Sequence, residues 1–116
     1  MKIGGSTYCK NPIKSELENL KKAGYDFAEL DLSEPLKPDN SLEKELTDSR
    51  NILPIYVGHL PEIDFKEESI SKNKKLIEIM SKNRGTSIFV MHLFSRYLPT
   101  NGNFDLRQNL HRSKTN

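Results

Sequence analysis

Two histidines stand at matching places in this chain. His59 lies near the end of "LPIYVGHL" (53–60) and His92 near the end of "TSIFVMHLF" (86–94), 33 residues further on. Each closes a run of apolar and β-branched residues and precedes a polar or proline-containing exit. Neutral imidazole is the commonest metal ligand and a frequent general acid or base. Two histidines alone do not make a catalytic zinc site, which takes about three protein ligands, often including carboxylates. Glu29 and Asp31 lie on the same side of "YDFAELDLS" (25–33), as candidate substrate contacts or supports for a ligand. Glu62, three residues past His59, and Arg96, followed by Tyr97, are further candidate substrate contacts. Each also has a plainer reading: strand-end histidines bonded to loops, solvated carboxylates, a surface arginine.

The elements that must position these residues follow from hydrophobic spacing. "KIGGST" (2–7) reads as a short strand. In "NPIKSELENLKKAG" (11–24), Ile13, Leu17, Leu20 and Gly24 form one helical stripe, with Ser15 as a candidate cap and Gly24 as the stop. Residues 25–33 alternate Ala28, Leu30 and Leu32 with Phe27, Glu29 and Asp31, which predicts a strand. "EPLKPDN" (34–40) reads as loop and "SLEKELTDSRN" (41–51) as a charged helix carrying Leu42 and Leu46. Residues 53–60 form the third strand, with Pro54 tolerated only at its start.

The clearest helix spans 65–85, with Ile70, Ile77 and Met80 on one face, Leu76 and Ile79 beside them, and Gly85 closing it. Its lysines at 72, 74 and 75 read as a solvated face. Residues 86–94 form the fourth strand, 95–103 a loop with an Asn-Gly turn, and 104–116 the start of a helix. Strict alternation places His59 on one side with Val57 and Ile55, and His92 with Val90 and Ile88. Strands alternating with helices predict an α/β fold with a parallel sheet. If the third and fourth strands are neighbours, both imidazoles stand at the carboxyl edge, where the longer loops of such folds build sites.

Composition sets outer bounds. The 116 residues suffice for one domain with one core, and 34% hydrophobic residues against 29% charged are clustered enough for folding. A net charge of +2 gives no electrostatic argument for nucleic acid. No apolar run is long enough for a membrane span or a signal peptide, and a lone cysteine, Cys9, forms no internal disulfide, so a cytoplasmic setting is expected. "GGSTY" lacks the spacing of a dinucleotide-binding loop.

"MKIGGSTY", "AGYDFAELDLS", "YVGHLPE" and "VMHLFSRY", in this order and spacing, resemble the xylose-isomerase-like TIM barrel superfamily over residues 1–98. That group holds sugar phosphate isomerases and epimerases together with endonuclease-IV-type DNA repair enzymes. The resemblance implies a partial (β/α)8 barrel of about four βα units, residues 1–116 forming its N-terminal portion. It implies a divalent metal, zinc, manganese or magnesium, with His59 and His92 near it and Glu29 lining the pocket. The family's fifth-strand glutamate and later ligands have no counterpart here, so the metal site is incomplete and the chain alone is expected to be inactive.

The reading is therefore the N-terminal part of a metal-dependent sugar or sugar phosphate isomerase/epimerase. Its alternatives are an endonuclease-IV-like phosphodiesterase acting on abasic DNA, and a non-catalytic module that associates through open sheet edges. A flavodoxin-like doubly wound sheet is the competing fold, disfavoured because no phosphate-cradling loop follows the first strand.

Overall fold

The computed structural model describes residues 1–34, 37–64 and 66–92. They form β1 (Gly4–Ser6), α1 (Ile13–Lys22), β2 (Phe27–Asp31), α2 (Asp39–Asp48), β3 (Ile55–His59), α3 (Glu67–Arg84) and β4 (Ile88–Val90). The fold is α/β. All adjacent strands pair in parallel, and the sheet runs β1-β2-β3-β4 without doubling back. A doubly wound sheet reverses its strand order at a switch point and carries helices on both faces. Here α1 packs on α2 and α2 on α3, so the three helices make one layer.

The core lies between that layer and one face of the sheet. Ala28, Leu30, Leu32, Ile55 and Leu60 meet Ile13, Leu17, Leu42, Leu46, Leu76, Ile79 and Met80 there. Burial of such side chains, each contributing about 1.5–3 kcal/mol, holds the layers together. The other face carries Glu29, Asp31, Tyr56, His59 and Ile88, and no helix among the described residues packs on it.

Glycine ends two helices as the spacing indicates: Gly24 and Gly85 take left-handed φ of 92° and 66°. Ser15 does not cap α1; it lies inside the helix, its hydroxyl donating to the Pro12 carbonyl, while Pro12 occupies the cap position. On α3 the buried stripe is Asn73, Leu76, Ile79 and Met80, and Ile70 is exposed. Ile70 lies in the first turn of α3, ahead of the buried stripe that begins at Asn73. The strands are shorter than hydrophobicity suggests, β4 ending at Val90. The expected loop at 95–103, the helix at 104–116, Arg96 and Tyr97 lie outside the described residues.

The β2–β3 ladder holds one irregularity. Ala28 pairs with Ile55, but Glu29 pairs with Val57, leaving Tyr56 as an extra residue in β3. Ile55 therefore faces the helices, and Tyr56, Val57 and His59 face away from them. The side shared by His59 includes Val57 as expected but not Ile55, because the extra residue reverses the alternation between them.

Candidate functional site

Parallel strands bring their carboxyl ends to one edge. At that edge Ser6 ends β1, Asp31 ends β2 and His59 ends β3. Ser6 pairs with Glu29 in the ladder, so both side chains leave the sheet on the same face. The Ser6 hydroxyl donates to Glu29 Oε2 over 3.4 Å, a long contact. Glu29 Oε1 lies 3.6 Å from His59 Nε2. Serine, carboxylate and imidazole thus run in a row across three adjacent strands on the uncovered face.

Ser6 is exposed, and the other two members of the row are half-buried. The side chains of His59 and Glu29 are 32% and 35% exposed, yet Nε2 is itself shielded from solvent and has no hydrogen-bond partner. An ion pair this accessible adds at most about 1 kcal/mol to stability and requires a protonated imidazole.

Asp31 is directly opposite His59 in the ladder but is used differently. Its Oδ1 accepts the Ser33 N–H at 2.8 Å, and its own N–H donates to Thr7 Oγ1 at 3.0 Å, tying the end of β2 to the β1–α1 loop. It lines a small cleft with Thr7, Cys9 and Lys37. Glu62 is exposed and borders a different groove, with Asp64, Ser69 and Asn73 beside α3. His92 is exposed two residues past β4; its carbonyl accepts the Ile63 N–H at 2.8 Å, which fastens the β3–α3 loop to the end of the sheet. The structure thus joins His59 to Glu29, and leaves Asp31, Glu62 and His92 in separate local settings among the described residues.

Ser6 was not singled out by sequence. The available signal was its position: it ends the first strand on the alternation that Gly4 begins, so parallel pairing brings it level with Glu29. Gly4 has its own role on that face, since a Cβ there would lie 2.2 Å from the Phe27 ring.

One metal ion bound by two donors at about 2.1 Å holds them about 3.0–3.4 Å apart in octahedral or tetrahedral geometry. Oε1 and Nε2 are within a few tenths of an ångström of that separation, and the unpartnered Nε2 suits a metal ligand. The pair fits as two ligands of a divalent ion. No set of three His, Cys, Asp or Glu side chains able to hold an ion occurs among the described residues.

Against known proteins, the chain matches no family model, no curated protein and no solved structure. No helix among the described residues is long and apolar enough to cross a membrane.

Proposed function

We propose that the four strands are one half of a (β/α)8-type barrel and that Glu29 and His59 are part of its site, in a metal-dependent isomerase or epimerase acting on a sugar or sugar phosphate. The observation that carries this reading is the Glu29–His59 contact across adjacent strands, at the carboxyl edge and on the face that the helices leave uncovered. In a barrel that face is the interior and that edge is the mouth where substrates bind. The sequential strand order and the single helix layer support the same architecture.

Isomerisation next to a sugar carbonyl requires removing a proton from carbon and returning it at a neighbouring position. The Glu29 carboxylate is placed to bind a sugar hydroxyl or to hold a proton, and Ser6 Oγ restricts its rotation through Oε2. His59 Nε2 is placed to ligate an ion or hydrogen-bond the substrate oxygen next to Glu29 Oε1. A divalent ion, when bound, supplies polarisation of the carbonyl and hydroxyl oxygens. Four further βα units would complete the coordination shell and the proton-transfer groups, so this chain contributes part of a catalyst. The abasic-DNA reading has less support, because a net charge of +2 gives no electrostatic footprint for a DNA backbone and the edge as described brings together no basic and aromatic reading set.

The test is ligand-observed NMR with a panel of sugars and sugar phosphates in the presence of Mn²⁺. Paramagnetic broadening of one class, lost in both Glu29→Gln and His59→Ala, is the expected result. A folded wild-type chain that broadens none of them would overturn the reading, and preferential binding of an abasic duplex would replace it.

A further inference from the structure

We propose that the groove between the α2–β3 turn and the end of α3 binds the phosphate group of a small molecule, held by the guanidinium groups of Arg50 and Arg84.

This groove lies at the amino edge of the sheet, where Leu53 and Pro54 lead into β3, away from the carboxyl edge that carries His59. Its volume is about 340 Å³, and Arg50, Asn51, Pro54, Asn83 and Arg84 line it. Small-molecule sites are concave, with a few polar groups that converge.

Two cations meet in it without an anion. Burial first, and then the charge of Arg50, lowers the pKa of Arg84, so the two guanidinium groups are close enough to repel each other. Neither forms an ion pair among the described residues. The acidic residues nearest to Arg50 along α2 are already engaged: Glu45 pairs with Lys37 at 2.9 Å and Asp48 with Lys44 at 2.8 Å.

The fold accounts for Arg84 but not for Arg50. Arg84 donates through Nη1 to the Leu46 carbonyl and Ser49 Oγ, and through Nη2 to the Leu53 carbonyl, which complements the carbonyl end of α2. A guanidinium has five N–H groups. These bonds use three, and the other two, on Nε and Nη2, meet no acceptor among the described residues. The Arg50 side chain is exposed and makes no hydrogen bond among them. Its backbone is nevertheless fixed at the groove. The Arg50 N–H donates to the Thr47 carbonyl at 3.2 Å, the Ile52 N–H to the Ser49 carbonyl at 3.1 Å, and Leu53 is anchored in the core.

An oxyanion fits this charge pattern. Arginine forks match phosphate and carboxylate oxygens with paired N–H bonds. Two adjacent guanidinium groups suit a phosphate monoester, which carries about −1.5 to −2 at neutral pH, whereas a carboxylate balances only one of them. The Asn51 amide, without a partner among the described residues, adds a neutral donor. The site does not depend on the reading of Glu29 and His59.

The test is a titration of the full chain with inorganic phosphate at constant ionic strength, followed by proton–nitrogen correlation NMR. Saturable shifts at the Arg84 Nε–H and the Asn51 amide are expected. Arg50→Gln should raise the dissociation constant at least about tenfold. Lys82→Gln, which removes the same charge from an exposed position on α3 outside the groove, should leave it unchanged. If Arg50→Gln fails to fold, Asn51→Asp, which sets a carboxylate in the groove, is read in its place with the same expected loss. Shifts that never saturate, an equal loss in Arg50→Gln and Lys82→Gln, or acetate bound as tightly as phosphate would overturn the proposal.

Discussion

Oε1 of Glu29 stands 3.6 Å from Nε2 of His59, although the two residues are not opposite each other in the sheet. Glu29 is level with Val57, and His59 with Asp31. The imidazole reaches back along the strand to Glu29, while Asp31 Oδ1 accepts the Ser33 N–H. The extra residue in β3 aims it. Ile55 lies on the helix side, and unbroken alternation from there would turn His59 into the helices as well. A one-residue register change thus separates a histidine in the core from one on the uncovered face.

The same strand limits what α3 can tolerate. Gly58 faces the helices between Leu30 and Phe89, and a Cβ there would lie 2.8 Å from Met80 Sδ and 3.1 Å from Phe89 Cδ1. Gly58→Ala should cost about 1–3 kcal/mol in urea unfolding, through displacement of α3 from β3. Adding a smaller residue at Met80 should restore part of the loss if that contact is its cause.

Arg84 locks the opposite end of the layers together. Its guanidinium donates to the Leu46 carbonyl at 3.3 Å, to Ser49 Oγ at 3.2 Å and to the Leu53 carbonyl. Burial, and then the charge of Arg50, lowers its pKa from the usual arginine value. It stays charged at neutral pH. Arg84→Ala should destabilise the fold by about 2–3 kcal/mol, since charged hydrogen bonds are lost and the Leu46 and Leu53 carbonyls lose this donor. Arg84→Lys should recover only part, because one ammonium cannot span three acceptors in a fixed plane. Thermal unfolding of the three proteins checks the order.

Much of this architecture was readable from residue spacing. The four strands, three helices, their order and the Gly24 and Gly85 stops follow from periodicities that packing then enforces. The alternation of Ala28, Leu30 and Leu32 with Phe27, Glu29 and Asp31 placed the two carboxylates on one face correctly. The site was less legible. His59 and His92 look equivalent by position, but β4 ends two residues before His92, so only His59 leaves the sheet inside the ladder. The partner of His59 depends on the register between β2 and β3, and the extra residue at Tyr56 has no local signature. Ser15 looked like a cap because serine favours that position, but Pro12, with φ fixed near the helical value, begins the helix earlier.

Asn73 is a polar residue in the buried stripe of α3. Its Nδ2 donates to the Ser69 carbonyl at 2.9 Å, and its Oδ1 is buried without a hydrogen-bond partner. Asn73→Leu keeps the branching and removes the unpaired acceptor. It should leave stability unchanged or raise it by about 1 kcal/mol in chemical denaturation. A loss of 2 kcal/mol or more would mean that the amide holds something that the fold requires.

The most direct test of Glu29 and His59 as one site is a double-mutant cycle on Zn²⁺ affinity, measured by calorimetry with wild type, Glu29→Gln, His59→Ala and the double variant. The pair contributes at most about 1 kcal/mol to the fold, so all four should fold alike. Each single substitution should weaken the same binding event at least about tenfold, equivalent to about 1.4 kcal/mol, and the double variant should be little weaker than the worse single. Losses that simply add, or zinc bound equally well by all four proteins, would contradict a shared site.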